Sequence, residues 1–551
     1  MSYFAIWIGC ILRTKILISF VHPMLGLILC VCAAATAAEL PSDTAEYERL
    51  INLHERYRQD FRVTDRGDYL ASMSRSRIAV KSEALTAYRT ELRAIDTQKF
   101  SVSQQTDYQL VRAEMNGLEF AIRVTQPWFR DPGTYADFAR TLRPRGSDPL
   151  PAEELIRVRN AIAQWPQVVT QALSNLSPLA EVPADLGRLA IRSLMESEQD
   201  LAAARQVVLT HDPDVLPLID AAQDATKRYR GWLEEHLAGM RGAAGVGREN
   251  YNWLLKNVYL MPYTWKDLER MVEMEDNRVV TFQRLEELRN AGQVALKPVQ
   301  SQAEYRASVQ ASIEHLFEFI EEKQLFTMPD YLTDEGYFGS WHNFESPWPD
   351  RHDYFFNFSH RESLMEEAHE MVGHHFDQLR AEHHPDTIRR GWLPYKISTA
   401  RAEGFAFALE ELLVYAGYLE HRPPRAREVA YEQAAFRTVR ATADLRMHDR
   451  QWSLEEAMAY AVSNAPHGNL LDDSDHLWFE MGTTLRGVGH HALMVVGKVQ
   501  FMKLFRDVAQ AEGDKFSVRD FMDRFYAKGV IPFSLIRWEM TGLTDEVNQL
   551  W

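Results

Sequence analysis

The sequence predicts an all-α protein of many helices, with at most a small β element. Apolar residues recur every three or four positions from about residue 41 to 240, as in Glu154 to Ile162, which places them on one face of a helix. The same region is rich in Ala, Leu, Glu, Arg and Gln, which favour helices. The helical period returns at Arg361 and continues towards the C-terminus, with breaks at proline-containing turns.

Length and composition limit the class of protein. A chain of 551 residues is too long for one compact core unless it is divided into lobes. Its hydrophobic content of 46% and charged content of 25% are ordinary for a soluble globular protein. The formal net charge is −17 at pH 7. A nucleic-acid binder needs a basic face for the phosphate backbone, so this charge argues against that class.

Residues 1–38 have the features of a cleavable export signal. Arg13 and Lys15 precede a long apolar stretch, and small residues at 35–38 provide a cleavage site. The chain is therefore predicted to be periplasmic or secreted, with no stable membrane anchor after cleavage. An uncleaved anchor is the alternative, because the apolar stretch is long. A separate apolar run before Arg13 leaves Met24 open as the natural start.

The three cysteines, Cys10, Cys30 and Cys32, all lie in this leader. The residues before Cys30 are Leu, Ile and Leu, which lack the small side chains of a lipoprotein site, so no lipid anchor is predicted. The mature chain would contain no cysteine. Disulfides, thiolate nucleophiles and cysteine-ligated metals are thereby excluded.

Two regions are expected in the mature chain. The first is helical and spans residues 39–240, and the second spans residues 241–551 and carries the motifs described below. The glycine-rich stretch Gly239–Gly247 between them lacks the preceding strand and the following Lys-Ser or Lys-Thr of a phosphate-binding loop, so it is interpreted as a flexible joint. An aromatic-rich stretch over 326–358 would either line a substrate groove or form a minor aromatic core.

The stretch from Leu364 to His375 carries the most chemical information. It contains His369 and His374, with Glu370 beside the first histidine. In zinc peptidases, two histidines on one helix face commonly bind the metal, and a neighbouring glutamate takes a proton from a metal-bound water. The usual helical spacing of the histidines is four residues, whereas here it is five.

The five-residue spacing needs a structural explanation. In an ideal α-helix, residues five apart point about 140° away from each other. A local bulge of one extra residue would return His374 to the face of His369, and Gly373 stands where such a distortion would fall. His375 is the alternative second ligand. A hydrogen-bonded or surface histidine cluster without a metal also stays open, since adjacent histidines recur elsewhere in the chain.

A third ligand is expected on the helix that follows. Glu403 lies near the start of this predicted helix, 29 positions after His374 and between small residues. These small neighbours would let its carboxylate approach a metal that another helix holds. The alternative is a glutamate that is stabilised by the helix dipole.

Together these residues indicate a catalytic metal site. With two histidines and a carboxylate, zinc keeps an open position for water, as catalytic sites do. Glu370 would be the general base, with His369, His374 and Glu403 as zinc ligands. A donor for the developing oxyanion is also needed. The candidates are His448, His490 and Arg401.

These motifs resemble the bacterial DUF885 family, a domain of unknown function close to the gluzincin metallopeptidases. The family pattern H-E-x-x-P-G-H-H is similar to His369–His375, and E-G-W-A-L-Y-x-E is similar to Glu403–Glu410. Further similar segments are Asp444–Ser453, Val488–Gly497 and Gly513–Pro532. The resemblance implies a large two-lobed, metallopeptidase-like helical fold with a central cleft. It also supports His369, Glu370 and Glu403 as site residues.

The chain departs from the family pattern in two ways. Its histidine motif is one residue shorter and lacks the proline, so it is closer to the H-E-x-x-G-H of dipeptidyl-peptidase III-like enzymes. Ala408 and Met494 stand where the family has tyrosines. If either family tyrosine stabilises the oxyanion, this chain must use another donor.

Three functions follow as hypotheses. The first is an exported zinc-dependent peptidase that cleaves short peptides in a cleft between helical lobes. The second is a zinc amidase or esterase with a non-peptide substrate. The third is a catalytically silent protein that binds metal and peptide. The intact Glu370 argues against the third, because a silent site has no need of that base. The sequence predicts no particular oligomeric state.

Overall fold

The computed structural model describes residues 44–143, 151–211, 213–338 and 358–551, and these residues form helices joined by turns and loops. No β-strand occurs among them, which confirms the predicted all-α fold class. The predicted signal peptide lies outside the described residues. In the part of the chain that the structure describes, no helix combines the length and the apolar composition needed to cross a membrane.

The helices are numbered in chain order. The first twelve are α1 Thr44–Phe61, α2 Arg66–Ser72, α3 Arg75–Arg93, α4 Val102–Phe120, α5 Pro127–Arg130, α6 Gly133–Ala139, α7 Ala152–Asn175, α8 Ala184–His211, α9 Leu216–His236, α10 Arg248–Asn257, α11 Trp265–Arg289 and α12 Gln302–Glu322. The others are α13 Leu364–Glu367, α14 Phe376–Glu382, α15 Thr399–Ala416, α16 Ala426–His448, α17 Leu454–Asn464, α18 Asp475–Arg486, α19 His490–Glu512, α20 Val518–Tyr526 and α21 Phe533–Thr541. Two π-helical segments, Ala121–Thr125 and Ala368–His375, follow α4 and α13.

Local side-chain signals set where several helices begin. Capping boxes start α4, α11 and α17, with Ser101, Thr264 and Ser453 as the N-cap residues. In each box the N-cap hydroxyl accepts a hydrogen bond from the third backbone N–H of the helix, and the third side chain accepts one from the N-cap N–H. Backbone donors that the helix itself cannot satisfy are thus paired at these ends.

The largest buried hydrophobic cluster combines helices that are distant in sequence. Leu53 of α1, Phe405 of α15 and Leu493 of α19 all belong to it. A second cluster joins α6, α7, α8 and α9 within residues 70–240. Residues 42–551 form one compact unit. The boundary expected at residue 240 and the two-lobed, metallopeptidase-like arrangement stay predictions.

The start of α19 is held by a buried carboxylate. Asp444 of α16 accepts hydrogen bonds from the backbone N–H groups of Gly489, His491 and Ala492 at 3.1, 3.0 and 3.2 Å. The Tyr251 hydroxyl lies 3.4 Å from the same carboxylate. Asp444 is fully buried. Its carboxylate thus caps α19 and fixes the position of the residue that begins this helix, His490.

Replacement of this cap tests its structural role. Asp444→Ala should lower the free energy of unfolding by about 1–3 kcal/mol, because buried N–H groups lose their acceptor. Chemical denaturation followed by circular dichroism measures the change. Asp514→Ala is the control, because Asp514 is exposed and surface changes of this kind stay within about 0.5 kcal/mol. Equal stability of the two variants would refute the capping role.

Candidate metal centre

A π-helical turn brings the two predicted histidine ligands together. In the segment Ala368–His375 the turns are wider than in an α-helix, as the five-residue spacing required. The Nε2 atoms of His369 and His374 lie 3.1 Å apart. The predicted local bulge is therefore present, and it places both imidazoles on one side of the helix.

Glycines let α15 approach this turn and α19 closely. A Cβ atom at Gly373 would lie 2.3 Å from the Cβ of Ala406, so only glycine fits where the π-helical turn meets α15. On the other side of α15, a Cβ atom at Gly404 would lie 2.4 Å from the Cα of Gly497 in α19. The role of Gly373 is thus steric clearance. This close packing carries the neighbouring Glu403 towards the histidines.

Glu403 completes a group of possible metal ligands. Its Oε2 lies 3.7 Å from His374 Nε2 and 4.0 Å from His369 Nε2. One ligand atom from each of His369, Glu370 and His374 also lies within 4.8 Å of the others. In a tetrahedral zinc site with bonds of about 2.0–2.1 Å, neighbouring ligand atoms are about 3.3 Å apart. The two imidazoles and the Glu403 carboxylate therefore fit a zinc ion.

A buried ion pair between Glu410 and Arg437 lies next to His369. Glu410, on α15, lies with Oε1 2.6 Å from His369 Nδ1. Arg437 of α16 donates to the other oxygen of Glu410 at 2.7 Å. A hydrogen bond from Nδ1–H to a carboxylate fixes the tautomer in which Nε2 can bind a metal. No role was predicted for Glu410 or Arg437 from the sequence. The seven-residue spacing of Glu403 and Glu410 nevertheless indicates that both side chains lie on one face of the helix.

Burial and neighbouring charges shift the pKa values of the cluster residues in opposite directions. Burial lowers the pKa of His369 well below its usual value, so this imidazole is neutral. Burial also disfavours the charged form of His374, but the carboxylates of Glu403 and Glu370 outweigh it and raise its pKa. For Glu403, burial acts to raise the pKa, but His374, His490 and His369 together outweigh it and hold the pKa below the usual range. Burial and the Glu403 charge raise the pKa of Glu370.

A cavity of about 510 Å³ opens beside the cluster. Glu370, His374 and Glu403 line one part of its wall. Tyr337 and Trp392 also line it. Tyr337 comes from the aromatic-rich stretch, so one aromatic residue of that stretch does face the candidate site. Residues 339–357 of the stretch lie outside the described residues.

The remaining sequence candidates are placed differently. His375 lines the cavity, but its Nε2 lies 2.8 Å from the Thr333 carbonyl, and His375 is not part of the group whose ligand atoms lie together. His490 lies near Glu403, whose carboxylate favours the protonated form of the imidazole. Burial lowers the pKa of His490 to about 4, and Glu403 opposes the shift.

Arg401 and His448 are not brought to the site. Arg401 is 1% exposed and is paired with Asp377 at 2.7 Å, with its guanidinium against Phe525. His448 is fully buried, with Nε2 3.2 Å from the Thr484 carbonyl. Both were candidate oxyanion donors, and their burial in the core removes them from contact with a substrate in the cavity.

A glycine substitution tests the close packing. Gly404→Ala should destabilise the fold by about 1–3 kcal/mol through overpacking, and it should weaken zinc binding by shifting Glu403. Gly231→Ala in α9 is the control, because no atom lies within 4 Å of the added methyl group. That variant should be neutral or up to about 1 kcal/mol more stable. Thermal denaturation and zinc titration compare the two, and identical behaviour would contradict the packing argument.

The support of His369 can be tested separately. Glu410→Gln keeps the size of the side chain but removes its charge, so zinc affinity should fall about 10- to 100-fold. Competition with a chromophoric chelator measures the affinity, and circular dichroism verifies folding. The exposed Glu420→Gln is the control. Unchanged affinity in folded Glu410→Gln would exclude the supporting role.

Comparisons with known proteins agree with this fold. The chain is similar to a structure described as "a putative lipoprotein of unknown function" from Shewanella oneidensis, with 15% identity, a TM-score of 0.65, and coverage of 90% of this chain and 99% of that one. It is also similar to "the putative lipoprotein" from Colwellia psychrerythraea, with 12% identity, a TM-score of 0.66, and coverage of 89% and 98%. Among proteins with curated descriptions, none matches.

A family match covers most of the chain. The sequence model of the family described as "Bacterial protein of unknown function (DUF885)" matches residues 60–540. The match includes both motif-bearing segments, His369–His375 and Glu403–Glu410. The chain therefore belongs to the DUF885 family.

Proposed function

We propose that this protein is an exported zinc-dependent hydrolase that cleaves amide bonds in short peptides, and that it is related in mechanism to the gluzincin metallopeptidases. One observation carries the proposal. Two imidazole Nε2 atoms 3.1 Å apart face the Glu403 carboxylate, with Glu370 beside them on the wall of the same cavity. His369, His374 and Glu403 would hold the zinc ion.

The bound metal would supply Lewis acidity, which makes a water more acidic and polarises a carbonyl group. Glu370 then acts as the general base. Its carboxylate faces the cavity and, because burial raises its pKa, it is suited both to accept a proton and to return one. It would take the proton from the attacking water and pass it to the nitrogen of the leaving amine.

The two positions where the family has tyrosines cannot supply a side-chain hydrogen-bond donor for the developing oxyanion. Ala408 and Met494 are both buried in the largest hydrophobic cluster. Among the three predicted donors, His490 is the one that lies near Glu403, whose carboxylate opposes the lowering of the His490 pKa by burial. His490 is therefore the donor that we propose.

Export is supported by two features. The sequence has a charged, apolar and small-residue pattern over residues 1–38, which is typical of a signal peptide. The two structural neighbours carry descriptions as putative lipoproteins, which are exported proteins. We propose that the mature chain acts outside the cytoplasm.

Replacement of the proposed base separates catalysis from binding. Glu370→Gln should retain about one zinc per chain but lose at least about 100-fold in turnover, since general-base catalysis contributes roughly 10²–10⁴. His369→Ala should lose the metal. Mass spectrometry measures metal content, and cleavage of a peptide library measures turnover.

Each alternative gives a different result in this experiment. Unchanged activity in Glu370→Gln would exclude the base role. Zinc binding without hydrolysis of any peptide, ester or other amide in the wild-type protein would indicate a silent binding protein. Absence of zinc from the wild-type protein, even after reconstitution, would refute the hydrolase proposal.

A further inference from the structure

A lysine stands in the wall of the cavity that contains the metal cluster. Lys396, in the loop between α14 and α15, lines this cavity together with Glu370 and Glu403. It also lines a second cavity of about 460 Å³. Its side chain is exposed to the space in these cavities. A substrate bound at the metal cluster would therefore share its cavity with this lysine.

The backbone at this lysine is held in an unusual conformation. Tyr395 and Lys396 have φ values of 56° and 58°, in the left-handed region that non-glycine residues rarely adopt. Tight packing holds the turn in place, because a Cβ atom at Gly117 of α4 would lie 2.4 Å from the Tyr395 ring. Such conformations persist where the surrounding structure imposes them, and they concentrate at functional sites.

Neighbouring structure leaves room for the ammonium group. A Cβ atom at Gly487 would lie 2.6 Å from Lys396 Nζ, so glycine at this position lets the lysine occupy its place. Arg389 anchors the same loop, with hydrogen bonds of 2.7 Å to both Asp107 and Glu539. The lysine is therefore positioned by packing and by an anchored loop.

The pairing of Lys396 differs from that of Arg486 and Arg192, which also line the second cavity. Arg486 is paired with Asp131 at 2.7 Å and with Asp137 at 2.5 Å. Arg192 is likewise paired, with Asp473 at 3.1 Å. Lys396 has no hydrogen bond or ion pair within 4 Å to any residue that the structure describes. Burial lowers its pKa, and the Asp444 and Glu403 carboxylates favour its charged form. Its three N–H donors are thus available to a ligand.

We propose that Lys396 binds the free C-terminal carboxylate of the substrate, so that the enzyme releases residues from the C-terminal end of short peptides. This inference rests on the proposed function. A carboxylate is the complementary partner because its oxygens can accept charge-assisted hydrogen bonds from the Lys396 ammonium, whereas the Glu370 and Glu403 carboxylates in the same wall would repel it. The exposed indole of Trp392 offers an apolar surface for the terminal side chain.

The reaction is an ordinary hydrolysis. Water adds its oxygen to the carbonyl carbon, the C–N bond breaks, and the proton accepted by Glu370 goes to the leaving nitrogen. The released amine product retains the C-terminal carboxylate that Lys396 binds. Lys396 is therefore a specificity residue, and its removal should act mainly on KM.

Matched substrates test the inference. A library of N-acetylated tripeptides is prepared both as free acids and as C-terminal amides, and kcat and KM are measured by mass spectrometry. The zinc-loaded wild-type enzyme should cleave the free acids at least about tenfold more efficiently, as expected for loss of one charge-assisted hydrogen bond. Lys396→Met should remove this preference by raising KM for the free acids.

Two further variants control the result. Lys396→Arg keeps the charge and should retain part of the preference, and Lys515→Met, at an exposed position, should behave as the wild type. Zinc-loaded Glu370→Gln provides a readout without turnover, because free acids should bind it more tightly than amides in equilibrium dialysis. The comparison of free acids with amides needs only the wild-type protein, so it still tests the inference if Lys396→Met does not fold.

Failure of this inference differs from failure of the proposed function. If the wild-type enzyme binds zinc and cleaves acids and amides equally, or if Lys396→Met keeps the preference, the role of Lys396 is overturned and the hydrolase remains. If the wild-type protein neither binds zinc nor cleaves either form, the proposed function falls, and this inference falls with it.

Discussion

Helix α15 lies between the π-helical turn and α19 at distances that only glycine permits. Gly373 meets Ala406 on one side, and Gly404 meets Gly497 on the other. Because Glu403 is next to Gly404, this packing decides whether its carboxylate reaches the histidines. The cluster is thus a consequence of backbone proximity, and a larger side chain at either contact would separate the helices.

A buried hydrogen-bonded network lies next to the cluster. His369 bonds Glu410, and Glu410 bonds Arg437, all in the protein interior. Loss of one member leaves the next charge without a partner in a medium of low polarity, which is more costly than loss of a surface pair. The network therefore fixes the orientation of His369 before any metal is present, and metal binding needs little rearrangement of this ring.

Helices and loops contribute different parts of the site. The cluster residues come from two helical segments, whose positions are set by core packing. Lys396 comes from a loop that Arg389 ties to α4 and α21. Rigid elements thus hold the groups that must keep fixed distances, whereas a loop supplies a group that faces the substrate.

The all-α class could be predicted from the sequence alone, and so could the grouping of the central residues of the candidate site. The helical period is a local property, and so is the spacing of His369, Glu370 and His374, from which the bulge in the helix could be predicted. Glu403 could be predicted because small neighbours mark a close helix contact. Only the tertiary structure showed that Glu410 supports His369, that Lys396 faces the cavity, and that Arg401 and His448 are buried. These facts depend on which faces of distant helices meet, and residue type and local spacing do not encode that choice, because it results from the packing of complementary surfaces across the whole core.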